Sequence, residues 1–204
     1  MATLVKICGV TTPEDARMAT SAGADMIGLN FFPGSKRFID LSAASTIAEG
    51  IPADVWRVGV FVNPRREDVE AARLAAGLNA LQFHGDEVPE LLLGWSCPVI
   101  RVIRVYDEGT VAAALEATSA DYYLCEGTAG GGFGGAGVGF SWDLANEVPA
   151  GKLMVAGGLH AGNVAEAVRI TRPFAVDVAS GVEMSPGKKD PKKTVEFIQN
   201  AKSA

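Results

Sequence analysis

The sequence lacks several features that would indicate particular functional classes. No apolar run in its 204 residues approaches the roughly 18 residues that a membrane-spanning helix needs. Basic residues number 18 against 24 acidic ones, so the chain lacks the excess of positive charge that is typical of nucleic-acid-binding domains. Only three cysteines are present, Cys8, Cys97 and Cys125, and no Cys-x-x-Cys pair occurs, so neither a disulfide framework nor a zinc site is predicted.

These absences favour a protein of the reducing cytoplasm that has neither a membrane nor a nucleic-acid partner. The first residues, MATLVKICGV, also lack the charged leader and the long apolar core of an export signal. The one basic cluster comprises Lys188, Lys189, Lys192 and Lys193. We interpret this cluster mainly as the solvated start of a helix, with attraction of an anionic substrate as the alternative.

Eight short apolar runs recur along the chain, separated by segments with helical spacing such as PEDARMATSAG and DPKKTVEFIQNA. Strands that alternate with helices indicate an α/β protein with a parallel sheet. Eight such units in 204 residues fit one (β/α)8 barrel, or TIM barrel, better than an open doubly wound sheet. We therefore predict a single domain over residues 1–204. The predicted strands are LVKIC (4–8), MIGLNF (26–31), RVGVFV (57–62), ALQFH (80–84), PVIRVIRV (98–105), YYLCE (122–126), LMVAG (153–157) and FAVDVA (174–179).

Cys8 ends the first predicted strand and is followed at once by Gly9. Alternation along this strand places Leu4, Lys6 and Cys8 on one face, so the cysteine should face the mouth of the barrel. Catalytic groups in this fold lie at the C-terminal ends of the strands, which makes Cys8 a candidate base. A thiol with its ordinary pKa of about 8.5 would need nearby positive charge for that role. A buried structural cysteine is the alternative.

Other strand ends carry polar side chains in the same positions. Gln82 and His84 alternate with apolar neighbours and should line the mouth, although a core histidine with satisfied hydrogen bonds is the alternative. Arg37, in the loop after the second strand, has a planar fork suited to a carboxylate or a phosphate. Glu126 ends the sixth strand as Cys8 ends the first, and the two together would supply an acid and a base.

Two glycine-containing turns favour a phosphate site. Gly157 and Gly158 follow the seventh predicted strand, and Ser180 and Gly181 follow the eighth. Barrels of this class often hold a phosphate there on backbone N–H groups. The glycine-rich run at 127–139 is too long for a tight turn and is predicted to form a lid; no Gly-Lys-Ser/Thr follows it, so it is not a Walker loop.

Together these residues make the chain resemble the phosphoribosylanthranilate isomerase family of tryptophan biosynthesis from end to end. Any one motif is modest, but eight in the same order are highly specific. The matching pieces are KICG (6–9), GAD.IG..F (23–31), SKR (35–37), GVFVN (59–63), LQFHGDE (81–87), GGAG..F.W (134–142), AGGL...NV (156–164) and VDVASGVE...G.KD (176–190).

The resemblance implies a cofactor-free, metal-free Amadori rearrangement of a small phosphosugar substrate. It makes Cys8 the general base and Glu126, where the family usually has aspartate, the general acid. It implies that Arg37 lies near the anthranilate group and that Asp177 matches an acidic residue at the end of the eighth strand. It also makes the glycines after strand seven, with Ser180 and Gly181, the phosphate cradle.

Two other functions stay open at this point. One is a related aminoaldose isomerase of the histidine pathway, or a bifunctional enzyme; the other is a catalytically impaired barrel that only binds a phosphosugar. The histidine-pathway chemistry generally uses two aspartates at strand ends and an internal repeat, whereas this chain has Cys8 and no such repeat. Either a monomer or a homodimer is compatible with the sequence.

Overall fold

A computed structural model describes residues 3–127 and 140–204 of the chain. Eight parallel strands form a closed barrel in chain order, with β8 hydrogen-bonded back to β1, which confirms the predicted (β/α)8 class. The strands are β1 (Leu4–Cys8), β2 (Met26–Asn30), β3 (Trp56–Phe61), β4 (Ala80–Phe83), β5 (Val99–Val105), β6 (Tyr122–Gly127), β7 (Leu153–Val155) and β8 (Ala175–Val178).

Six α-helices of the described residues surround the barrel, and the longest has 12 residues. Within residues 3–127 and 140–204, no helix combines the length and the apolar character needed to span a membrane. The helices are α1 (Pro13–Ser21), α2 (Leu41–Ala48), α3 (Arg66–Ala76), α4 (Thr110–Ala117), α5 (Val164–Thr171) and α6 (Pro191–Lys202).

The alternation of strand and helix is incomplete after β4, where only a short 3-10 turn (Pro89–Leu92) precedes β5. Pro89, Gly94 and Pro98 interrupt this segment, and these residue types disfavour a continuous helix. After β8, a small antiparallel hairpin of β9 (Glu183–Ser185) and β10 (Lys188–Lys189) is inserted before α6. This hairpin lies at the same end of the barrel as Cys8, because Lys189 hydrogen-bonds to the carbonyl of that residue.

Local sequence accounts for where several helices begin. Thr12 accepts a hydrogen bond from the Asp15 N–H at 3.2 Å, and Pro13 occupies the first position of α1, where its missing N–H costs nothing. Asp190 caps α6 in the same way and is followed by Pro191. These caps fix the residues at which α1 and α6 begin, directly after loops that surround the barrel mouth.

Side-chain alternation divides the core into two layers. Outward-facing residues such as Val5 and Ile7 pack against the helices, whereas a smaller cluster fills the barrel interior, as expected for this fold. Three rings close the N-terminal end: Tyr122 and Phe174 stack with centroids 4.4 Å apart, and Trp56 lies 5.7 Å from Tyr122. The interior cluster comprises Met26, Val58, Ala80, Ile100, Val102, Leu124, Met154, Ala156 and Ala175.

Replacing Phe174 with alanine should lower the free energy of unfolding by about 2 kcal/mol, because the ring closes the barrel floor but is only partly buried. Urea unfolding monitored by circular dichroism would measure the loss. Leu74→Ala is the matched control, since Leu74 is 74% exposed on α3 and its loss should stay within about 0.5 kcal/mol. Equal losses in the two variants would contradict the assigned role of the aromatic floor.

Candidate active site

A cavity of about 600 Å³ opens at the C-terminal ends of the strands. It brings together side chains that are far apart in sequence, including all but one of the residues predicted to form a site. The exception, Gly181, does not line the cavity. The predicted residues that do are Cys8, Arg37, Gln82, His84, Glu126, Gly157, Gly158, Asp177 and Ser180.

Glycines on two sides of Cys8 give space to functional side chains. A Cβ on Gly28, the register partner of Cys8 in β2, would lie only 2.8 Å from the Cys8 sulfur. Gly9 has a φ of 71°, and a Cβ there would lie 2.3 Å from Cδ of Arg37. The glycine after the cysteine therefore both turns the chain and allows the Arg37 side chain to cross the end of β1.

Lys6 lies on the inward face of β1, two residues before Cys8, and is fully buried. Its ammonium group donates to Oδ1 of Asp177 at 2.9 Å, across the seam between β1 and β8. Burial by itself lowers the pKa of Lys6, but the charges of Asp177 and Cys8 outweigh this effect, so the pKa lies above its usual value. Lys6 therefore stays positively charged beside the thiol.

Opposing influences act on the Cys8 thiol. Burial raises its pKa, and the Asp177 carboxylate acts in the same direction. Lys6 and Lys189 lower it but do not outweigh burial, so the pKa of Cys8 lies above its ordinary value. The two lysines thus supply the positive charge that a thiolate needs, while the enclosure keeps the thiol mostly protonated at neutral pH.

Glu126, near the end of β6, is buried and contacts His84, which directly follows β4. Its Oε1 lies 2.6 Å from Nε2 of His84, and Nδ1 of that ring lies 3.2 Å from the amide nitrogen of Gln82. If the Gln82 amide donates to Nδ1, the ring proton is on Nε2 and points at the carboxylate. Oε1 of Gln82 is buried and has no hydrogen-bond partner among the described residues. Because Gln82 lines the cavity, this oxygen can accept a hydrogen bond from a hydroxyl group of a bound ligand.

Arg37 and the hairpin after β8 form a charged cluster that the sequence analysis did not predict. Arg37 donates through Nε and Nη2 to the two carboxylate oxygens of Glu183, each at 2.8 Å. Lys189 donates to Oε1 of Glu183 at 2.9 Å and to the Cys8 carbonyl at 2.6 Å. The Glu183 hydrogen bond raises the pKa of Arg37; Glu183 itself has a lowered pKa because Arg37 and Lys189 outweigh its burial.

The prediction that Lys189 belongs to a solvated helix start is wrong. Lys189 lies in β10 and is 1% exposed. Lys188 is exposed but also lies in β10, whereas Lys192 and Lys193 are exposed in the first turn of α6, as predicted. Burial lowers the pKa of Lys189, although Glu183 opposes the shift. The signal available in the sequence was the spacing of Glu183 and Lys189 across a glycine-containing turn, which is the pattern of a hairpin.

The loops after β7 and β8 meet at one side of the cavity. Gly157 and Gly158 both have positive φ, at 80° and 68°, and Ser180 opens a short 3-10 turn (Ser180–Val182). A Cβ on Gly181 would lie 1.9 Å from the carbonyl oxygen of Leu159, so this glycine allows the two loops to touch. Gly181 therefore contributes close packing under the cavity, while the other three residues form part of its surface.

Residues 128–139, which include most of the predicted lid, lie outside the described residues. In the described parts of the chain, no group of three or more His, Cys, Asp or Glu side chains is arranged to hold a metal ion.

The buried Glu87 anchors the loops after β3 and β4. It accepts from the N–H groups of Gly85 and Asn63 and forms an ion pair with Arg101.

Comparisons with known proteins agree on one family. The sequence model of the N-(5'phosphoribosyl)anthranilate (PRA) isomerase family matches residues 5–200. The chain is 47% identical over 196 residues to the N-(5'-phosphoribosyl)anthranilate isomerase of Acidithiobacillus ferrooxidans, covering 95% of each chain. The crystal structure of phosphoribosyl anthranilate isomerase from Thermotoga maritima matches with a TM-score of 0.89 and 38% identity, over 99% of this chain and 100% of the other.

A second solved structure is a phosphoribosyl anthranilate isomerase in complex with reduced 1-(o-carboxyphenylamino)-1-deoxyribulose 5-phosphate. It matches with a TM-score of 0.85 and 37% identity, over 99% of this chain and all of the other. The likeness thus extends over nearly the whole of both chains.

The raised pKa of Cys8 predicts slow alkylation at neutral pH, with a rate that rises along a titration whose midpoint lies above that of an ordinary free thiol. The measurement is the pH dependence of iodoacetamide modification in a Cys97→Ser background; Cys125 is buried with a pKa raised to about 12 and should not react. Asp177→Asn should lower the midpoint, because it removes a neighbouring negative charge. Glu49→Gln, an exposed carboxylate on the outer surface, should not. A Cys8 midpoint at or below that of a free thiol such as glutathione, measured in the same way, would contradict this description.

Proposed function

Because the chain belongs to the N-(5'-phosphoribosyl)anthranilate isomerase family and is such an isomerase of tryptophan biosynthesis, we propose that Cys8 and Glu126 carry the proton transfers of its reaction. The reaction converts N-(5'-phosphoribosyl)anthranilate, an aminoaldose, into the aminoketose 1-(2-carboxyphenylamino)-1-deoxyribulose 5-phosphate. The observation that carries this assignment is that the Cys8 thiol of β1 and the Glu126 carboxyl of β6 lie on the wall of a single cavity. The carboxyls of Asp177 and Glu183 also line this cavity, but they are paired with Lys6 and Arg37.

The first step is opening of the ribose ring. Glu126 donates a proton to the ring oxygen as the bond from C1' to that oxygen breaks, and the lone pair of the anthranilate nitrogen forms the iminium. His84, 2.6 Å from the same carboxyl, holds Glu126 in place and can exchange its proton. The family usually has aspartate at this position, and the resemblance therefore assigns the same acid role to the glutamate of this chain.

The second step is removal of the C2' proton by the Cys8 thiolate, which gives an enolamine. This enolamine becomes the aminoketose when C1' gains a proton and the C2' hydroxyl loses its own. Lys6 and Lys189 stabilise the thiolate by charge, because both lower the pKa of Cys8 against the effect of burial. Two proton transfers with ring opening need neither a metal nor a nicotinamide, since no electrons are exchanged with a cofactor.

The remaining predicted residues hold the substrate. The phosphate binds beside Gly157, Gly158 and Ser180, whose small size leaves space for it and whose backbone N–H groups can donate to it. This is the position where the fold often binds a phosphate. Oε1 of Gln82, which has no partner in the described parts of the chain, can accept from a ribose hydroxyl, and Asp177 faces the sugar beside Cys8. Arg37 faces the anthranilate group. We further propose that the enzyme acts in the cytoplasm, as a monomer or a homodimer.

Cys8→Ala should reduce turnover by about 10²-fold to 10⁴-fold, the range expected when a general base is removed. The measurement is a fluorescence time course with freshly prepared phosphoribosylanthranilate. Cys97→Ala is the control, because Cys97 lies outside the cavity lining and should leave the rate unchanged. Near-normal turnover in the Cys8 variant would refute its role as the base.

Glu126→Gln keeps the side-chain shape but has no carboxyl proton to donate, so turnover should again fall by about 10²-fold or more. Glu126→Asp keeps the acid but withdraws it by one methylene from His84, and a displacement of about 1 Å can cost up to 10²-fold. The same fluorescence assay ranks the three proteins. The opposite order, an inert wild type with an active aspartate variant, would show that the longer side chain disables the site.

A further inference from the structure

We propose that Glu183 is a positioning residue that holds Arg37 so that its free edge binds the ring carboxylate of the anthranilate group. The inference rests on the proposed function, because it assumes an aminobenzoate in the cavity. It assigns a role in substrate specificity to the hairpin of β9 and β10, which the sequence motifs alone did not connect with substrate.

The geometry of the pair fixes which donors of Arg37 remain available. A guanidinium has five N–H donors in one plane. Glu183 accepts from Nε and Nη2 at 2.8 Å each, which occupies one edge of the plane. Nη1 has no hydrogen-bond partner among the described residues, so the edge formed by Nη1 and the second N–H of Nη2 can bind another carboxylate in a bidentate manner.

Steric contacts restrict the arginine further. The Arg37 side chain crosses Gly9, where a Cβ would lie 2.3 Å from its Cδ and 3.2 Å from its Cβ. The aliphatic part of the side chain is thereby packed against the turn that follows Cys8. With one edge paired to Glu183 and the stem packed on Gly9, the guanidinium has little freedom to rotate before substrate arrives, which lowers the entropic cost of binding.

Charge balance indicates what the cluster accepts. Arg37, Lys189 and Glu183 together carry a net charge of +1. The Lys189 and Glu183 side chains are 0% and 5% exposed, whereas that of Arg37 is 13% exposed and lines the cavity. The neighbouring Lys6–Asp177 pair is neutral overall. The uncompensated positive charge is therefore presented to the cavity by Arg37, which suits one carboxylate.

The cluster also links this carboxylate site to the base. Lys189 donates to Glu183 and, at the same time, to the carbonyl oxygens of Cys8 at 2.6 Å and Ala179 at 3.2 Å. The Glu183 carboxylate thus sits between the arginine that contacts the aromatic acid and the lysine that supports the end of β1. Fixing Arg37 in this way sets the position of the anthranilate group relative to Cys8.

A matched pair of ligands tests the inference without turnover. The ligands are reduced 1-(o-carboxyphenylamino)-1-deoxyribulose 5-phosphate and the same compound without the ring carboxylate, and calorimetry measures the affinity for each. Wild type should favour the carboxylated ligand by about tenfold or more, as expected for charge-assisted bidentate hydrogen bonds. In Glu183→Gln this preference should fall to about threefold or less, while the affinity for the ligand without the carboxylate stays within about twofold of wild type.

Lys188→Met is the control, because Lys188 neighbours Lys189 on β10 but is exposed; it should keep the wild-type preference. If Glu183→Gln fails to fold because two buried cations lose their partner, Glu183→Gln with Lys189→Met removes one cation and should show the same selective loss. A persisting preference, an equal loss for both ligands, or no preference in wild type would overturn the inference. Failure of the proposed function would appear separately, as wild type that does not convert phosphoribosylanthranilate.

Discussion

The pairing of β8 with β1 closes the barrel, and the arrangement of the site depends on this closure. Register across the seam sets Lys6 opposite Asp177, so a fully buried ammonium group meets a carboxylate at 2.9 Å. An unpaired charge at this depth would be strongly destabilising, and the pair avoids that cost only because the two strands are neighbours. The same closure brings Cys8, at the end of β1, beside the loops after β7 and β8, where we propose that the phosphate binds.

Three groups of charged side chains lie at different parts of the cavity wall. Lys6 and Asp177 form the neutral pair beneath the thiol, Arg37 with Glu183 and Lys189 forms a cluster with one excess positive charge, and His84 contacts Glu126. Apart from the Nη1 edge of Arg37, these charged side chains are already paired before substrate binds, so little reorganisation is needed at the moment of reaction. Such preorganised charge is a major source of catalytic rate enhancement in enclosed sites.

Much of the fold and a large part of the site were predictable from the sequence, because the relevant signals are local. Alternation along LVKIC and ALQFH places Cys8 and Gln82 on inward faces, whichever strands lie beside them. Glu183 and Lys189 were not recognised, since an exposed hairpin and a buried one have the same spacing. The burial of this lysine is explained by its ion pair with Glu183 together with a tertiary contact, the hydrogen bond to the Cys8 carbonyl 181 residues away.

The sequence by itself determined the order of strands and helices, the faces of the strands, and which polar side chains end them at the barrel mouth. These properties follow from side-chain periodicity and turn chemistry over a few residues. Only the tertiary structure decided which buried charges pair: Lys6 with Asp177 across 171 residues, and Arg37 with Glu183 across 146. The physical reason is that a side chain's partner depends on which strands the closed barrel makes neighbours and on how far each loop reaches over its mouth.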